Sequence, residues 1–86
     1  MADIQTDELA PENMSPGRTL AVARAGRGLS VDDVAQRLKF STRQIEALEA
    51  DDHAALPGPV FVRGMMRGYA KLLGLDAVSL VGDLQR

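Results

Sequence analysis

The stretch SVDDVAQRLKFSTRQIEALEA, residues 30–50, decides the fold. Ser30 and Ser41 are each followed three residues on by a side chain that can reach back, Asp33 and Gln44. A serine hydroxyl accepts from the third helical N–H, and the third side chain accepts from the serine N–H. Together they satisfy two of the donors that a helix start leaves orphaned. The spacing therefore predicts two helices in close succession. Val31, Val34, Ala35 and Leu38 form the apolar face of the first, and Ile45 and Leu48 that of the second. Only Lys39 and Phe40 remain for the connection. Ala35 is the small residue that lets the two helices cross closely, with the branched Ile45 opposite. Two capped helices on so short a turn make a helix-turn-helix. Lys39 stands where a glycine usually eases the turn.

Outward from this unit the chain is punctuated as helices on both sides. Ser15 caps and Pro16 opens a preceding helix, with Leu20, Ala23 and Ala21 inward, and Gly26 and Gly28 stop it. Asp51 to Gly58 reads as a loop, because Pro57 and Pro59 flank a glycine. Pro59 begins a fourth helix that runs to Leu73 and ends at Gly74. Asp76 caps a short fifth helix carrying Val78, Leu80, Val81 and Leu84. No strand-like alternation and no internal repeat is present, so the class is all-α, a five-helix domain over residues 15–86. Aromatic residues are only 3% of the chain, so the core must be built from aliphatic side chains and methionine. Residues 1–14 have little apolar content and no period and are expected to be a disordered acidic tail. Four of the twelve acids and none of the ten bases lie in residues 1–15, so the remainder carries a net +2. The overall charge of -2 is therefore no argument against nucleic acid.

Catalysis finds no constellation. With no cysteine and a single histidine, His53, a metal would have to be held by the neighbouring carboxylates Asp51 and Asp52, and His53 is expected as an exposed loop residue. Ser15, Ser30 and Ser41 are employed as helix caps rather than as nucleophiles. The Gly-Arg-Gly at 26–28 lacks the preceding strand of a phosphate-cradling loop. The chain is read as a binding protein and not an enzyme, with no cofactor, no metal and no small-molecule substrate. No secretory signal and no apolar run of membrane-spanning length is visible, so the expected location is cytosolic.

Two surfaces can carry binding. On the second helix of the motif Thr42, Arg43, Glu46, Glu49 and Ala50 face outward, and Arg43, Thr42 and Gln44 are candidate DNA contacts. Glu46, Glu49, Asp51, Asp52, Asp32 and Asp33 crowd the same region, and carboxylates near phosphates oppose binding. On the fourth helix Val62, Met66, Tyr69 and Leu73 form the core stripe, and Phe61, Met65 and Leu72 form a second apolar strip beside it. Gly64 and Gly68 flank that strip and suggest close approach to the backbone. Arg63, Arg67 and Lys71 follow one another at four-residue intervals opposite the core. One reading packs the second strip inside the domain and leaves the bases solvated. The other joins Phe61 and Met65 with Arg63 and Arg67 as a protein-docking surface.

The stretch GLSVDDVAQRLKFSTRQIEALEADDHAALPGPVFVRGMMRGYAKLLGLD, and within it ALPGPVFVRGMMRGYAKLLGLD, resembles the N-terminal cytoplasmic helix-turn-helix domain of the RodZ family of bacterial cell-shape proteins, over residues 17–84. Phage-repressor-type DNA readers share the first part and usually lack the Leu-Pro-Gly followed by a long helix. The resemblance implies a domain on the cytosolic side of a membrane span that lies beyond this chain. With no span present, the chain is read either as a fragment ending before the linker or as a soluble relative, and an ending at Arg86, directly after the last expected helix, fits a trimmed domain. The resemblance further implies the actin-like filament protein MreB as partner, contacted through an aromatic pair in an F-x-x-G-Y arrangement. Phe61 and Gly64 match it, while Met65 replaces the second aromatic, losing a ring and a hydroxyl and keeping apolar reach. The expectation is a cytosolic adaptor docking on MreB through Phe61, Met65, Arg63 and Arg67. The alternative is a sequence-specific DNA-binding regulator of the phage-repressor type that uses Thr42, Arg43 and Gln44.

Overall fold

The computed structural model describes residues 14–80, and residues 1–13 of the expected tail, Val81 and Leu84 lie outside them. Helix α1 spans Pro16–Gly26, α2 Val31–Leu38, α3 Thr42–Glu49 and α4 Pro59–Leu73, with a 3₁₀ turn at His53–Ala55. Residues 77–80 are again helical, and no strand occurs among the described residues.

Each start is built as its residues dictate. Ser15 Oγ accepts from Arg18 N at 3.2 Å, with Pro16 in the first turn. Ser30 and Ser41 close both capping boxes: Asp33 N and Gln44 N donate to the hydroxyls at 3.0 Å, and Asp33 and Gln44 accept in return from the serine N–H groups. These bonds hold the exposed Asp33 carboxyl below its usual range, chiefly through the Ser30 N–H. Lys39 adopts the left-handed conformation (φ 64°) that ends α2, so this non-glycine residue takes the geometry that the motif's turn demands. Gly74 ends α4 in the same way. The Arg27 guanidinium donates to the Leu73 carbonyl, setting a cation on the negative end of α4.

The core gathers Leu20 from α1, Val34 and Ala35 from α2, Ile45, Ala47 and Leu48 from α3, and Val62, Met65, Met66, Tyr69, Ala70 and Leu73 from α4. Leu56 and Leu80 close it. Val31, Leu38 and Ala23 are half-buried at its edge. Val78, expected on the apolar face of the last helix, is 82% exposed. The Asp76 carboxylate accepts from Val78 N at 3.1 Å, which starts the helix with Leu80, not Val78, turned inward.

Two polar joints tie the helices together. In the first, the Asp51 carboxylate accepts from Ser15 Oγ and, at 3.0 Å, from Gly17 N, placing a negative charge on the N-terminus of α1. Gly17 leaves no space there: a Cβ would lie 2.3 Å from the Leu48 carbonyl oxygen and 2.7 Å from that of Glu49. In the second, Glu49 accepts from Arg24 Nε at 2.7 Å and Nη2 at 3.2 Å, while Arg24 Nη1 donates to the Leu29 carbonyl at 2.9 Å. The Tyr69 hydroxyl, on a fully buried side chain, donates to the same carboxylate. Burial, followed by that bond, raises the Tyr69 phenol above its usual range, and the bond to Glu49 raises Arg24.

Three outcomes are expected. Gly17→Ala must push α1 off the α3 backbone and should cost about 2–3 kcal/mol in denaturant unfolding. Lys39→Gly should gain about 0.5–1 kcal/mol in the same measurement, since glycine takes a positive φ freely. Tyr69→Phe should cost about 1.5–3 kcal/mol near neutral pH, the worth of a hydrogen bond to a charged group. Because folding raises the phenol's pKa, its contribution is complete below the ordinary value of about 10 and declines as pH rises beyond it. The stability difference between wild type and Tyr69→Phe should therefore narrow above about pH 10.

Candidate functional site

The exposed face of α3 is smaller than its periodicity predicts. Thr42, Arg43, Glu46 and Ala50 are exposed. Glu49 is not among them, because Arg24 and Tyr69 hold it between α1 and α4. The Gln44 side-chain carbonyl is committed to the Ser41 N–H, which leaves Thr42 and Arg43 as the freer of the three candidate DNA contacts. Asp51 is likewise occupied by the start of α1. Two of the acids counted against DNA are thus engaged internally, while Glu46, Asp52, Asp32 and Asp33 stay exposed around the motif.

Helix α4 presents a different surface. Its core stripe is as expected: Val62, Met66, Tyr69 and Leu73 are buried. Met65 corrects the sequence reading, being 1% exposed and part of the core rather than a surface contact. The buried arc of α4 is wider than its core stripe because α2 covers that flank: a Cβ on Gly68 would lie 3.8 Å from Leu38 Cδ2. Phe61 and Leu72 are half-buried on the same flank. Gly68 is therefore explained by internal packing, whereas a Cβ on Gly64 would meet nothing within 4 Å. The ring of Phe61 meets Phe40 from the motif's turn edge to face, with centroids 5.5 Å apart. Phe40 thereby packs on the flank of α4, a placement that its position in a two-residue connection did not reveal.

On the outward side of α4, Val60, Gly64, Arg67 and Lys71 are exposed and Arg63 is half-exposed. At about 100° per residue these five share one face. Val60, 75% exposed, is an apolar residue on this face that its sequence position did not single out. Among the described residues the ion pair is Arg24–Glu49, and Arg63, Arg67 and Lys71 have no carboxylate within bonding distance. The structure thus keeps Arg63 and Arg67 on the outward face of α4, leaves Phe61 half-buried on the flank toward α2, and removes Met65 into the core.

His53 is half-buried in the 3₁₀ turn rather than exposed, and its Nε2 is buried without a hydrogen-bond partner among the described residues. Among those residues no group of three or more His, Cys, Asp or Glu side chains could hold a metal ion. No helix among them is long and apolar enough to cross a membrane.

Comparison with known proteins agrees with this architecture. The chain is 37% identical over 60 residues to the cytoskeleton protein RodZ of Streptococcus pneumoniae, covering 70% of this chain and 22% of that protein. It is 36% identical over 52 residues to the uncharacterized membrane protein YmfM of Bacillus subtilis, covering 60% of this chain and 18% of that protein. The chain thus spans about a fifth of the length of these curated relatives. No solved structure matches it significantly. A family described as helix-turn-helix domain matches residues 19–80, from within α1 to the last described helical turn. With the two capping boxes, the left-handed Lys39 turn and the long α4 behind it, this chain belongs to that helix-turn-helix domain family, in the form found in RodZ.

Proposed function

We propose that this domain is a protein-docking adaptor of a cell-shape apparatus, lying on the cytosolic side of a membrane to which a segment outside this chain connects it. Its partner in this reading is the actin-like filament protein MreB. The observation that carries the reading is the outward face of α4, where Arg63, Arg67 and Lys71 lie beside exposed Val60, with the Phe61–Phe40 pair on its flank. Aromatic and apolar anchors rimmed by arginine suit a protein interface. The kinship with a cytoskeleton protein points the same way. Phe61 supplies the apolar anchor, and Arg63 and Arg67 supply charges that steer an acidic partner surface. Met65 acts from beneath, holding α4 in place.

Thr42 and Arg43, exposed at the start of α3, keep a DNA-reading alternative open to the same experiment. The isotope-labelled domain is titrated with the filament protein and, separately, with duplex DNA at two salt concentrations. Shifts clustering on Val60 to Lys71 with the filament protein are expected. Arg67→Glu should weaken that binding roughly tenfold, the equivalent of about 1.4 kcal/mol, with thermal unfolding unchanged. Unaltered filament affinity in Arg67→Glu would remove α4 from the interface. Shifts on Thr42 and Arg43 with DNA that fade as salt rises, and that vanish in Arg43→Ala, would make this a DNA-binding regulator.

A further inference from the structure

We propose that the outward face of α4 has an occupant within the chain itself, the acidic segment of residues 1–13. Its carboxylates compete there with the partner of the domain. The regulatory part of this inference rests on the docking reading above, and the contact within the chain does not.

The charges of this protein are segregated. Asp3, Asp7, Glu8 and Glu12 precede the first base, Arg18, with no base among them. From His53 to Leu75 the reverse holds: Arg63, Arg67 and Lys71 occur with no Asp or Glu. The structure gathers those three bases on one face of a single helix, with no carboxylate bonded to them among the described residues.

The other bases are worse partners for the segment. Arg24 is committed to Glu49 and the Leu29 carbonyl, and Arg27 to the Leu73 carbonyl. Arg37, Lys39 and Arg43 share their surface with exposed Asp32, Asp33 and Glu46, which cancel much of their field. Arg18 on α1 stands without a second base beside it in sequence. The α4 row is therefore an extended cationic surface with no carboxylate bonded to it among the described residues, the nearest acid in sequence being Asp76 beyond its C-terminus.

Reach is sufficient. The segment joins α1, which packs against α4. At roughly 3.3–3.6 Å per residue, a chain extending back from Ser15 can carry Asp7 about 28 Å and Asp3 about 40 Å. Helix α4 is about 22 Å long at 1.5 Å per residue. A short tether gives an effective concentration on the order of millimolar. An attraction too weak to matter between separate molecules then fills much of the face in cis. It must also be sensitive to salt, because screening at about 0.5 M confines such attractions to a few ångströms.

The test uses the full chain with Asp3→Asn, Asp7→Asn, Glu8→Gln and Glu12→Gln combined, which removes the charges and keeps the length. Amide resonances of residues 60–71 should differ between wild type and this variant at low salt. The difference should disappear at about 0.5 M salt and be independent of protein concentration. It should also shrink when Arg67→Glu is added to both chains. Identical spectra over residues 60–71 overturn the proposal, as do differences confined to Arg37, Lys39 and Arg43. A concentration-dependent difference overturns it too, because the occupant would then be a second copy. In the competition arm, the neutralised chain should bind the filament protein about three- to tenfold more tightly at low salt and equally at high salt. Equal affinity at low salt overturns the competition. If the spectral differences appear and neither chain binds the filament protein, the contact within the chain stands and the docking reading of α4 fails.

Discussion

The Glu49 carboxylate accepts from the Arg24 guanidinium on α1 and from the Tyr69 hydroxyl on α4, while its own backbone closes α3. Three helices meet on one side chain, and the fourth is linked to it because Arg24 also holds the Leu29 carbonyl just before α2. A largely buried ion pair is not in itself a source of stability, since desolvation opposes the Coulombic gain. Its effect is on specificity. The fully buried Tyr69 hydroxyl finds its acceptor only when α4 is in the observed register, and the guanidinium is satisfied only when α1 is. Any slippage leaves buried polar groups unpaired, so the four helices have one mutual arrangement rather than several.

The second joint works by contact and charge together. Gly17 lets α1 touch the α3 backbone so closely that no side chain fits, and Asp51 meets the N–H groups exposed at the start of α1. Both joints hold the C-terminal end of α3 against α1 and leave the middle of the domain to apolar packing. Among the described residues nothing covers the far side of α4, where Val60, Arg67 and Lys71 are exposed.

The two candidate surfaces also differ in how their charges are used. Around the helix-turn-helix the acids serve the fold: Glu49 and Asp51 join helices, Asp33 closes a capping box, and Asp32 accepts from Gln36. Retaining them keeps carboxylates beside Thr42 and Arg43, where a phosphate backbone would have to approach. On α4 the bases have no carboxylate partner among the described residues. The motif supplies architecture as well, its turn contributing Phe40 against Phe61.

The helix starts were legible because capping is a local matter. Ser15, Ser30 and Ser41 bond to groups three residues away, so their roles could be read from spacing alone. The same holds for Gly74, for the start of α4 at Pro59 and for its core stripe, which follow from backbone geometry and helical period. What lay beyond the sequence were contacts between residues far apart in the chain. Periodicity put Glu49 on the outer face of α3, and tertiary packing placed Arg24, 25 residues earlier, and Tyr69, 20 residues later, against it. Periodicity could not rank Phe61, Met65 and Leu72, because only the cover of α2 across Gly68 distinguishes a buried flank from an open one. Gly17 gave no local signal at all, since its constraint is a backbone more than thirty residues away. Local hydrogen bonding and helical period thus determined where the helices are, and the meeting of distant backbones and charges decided which of their faces remain exposed.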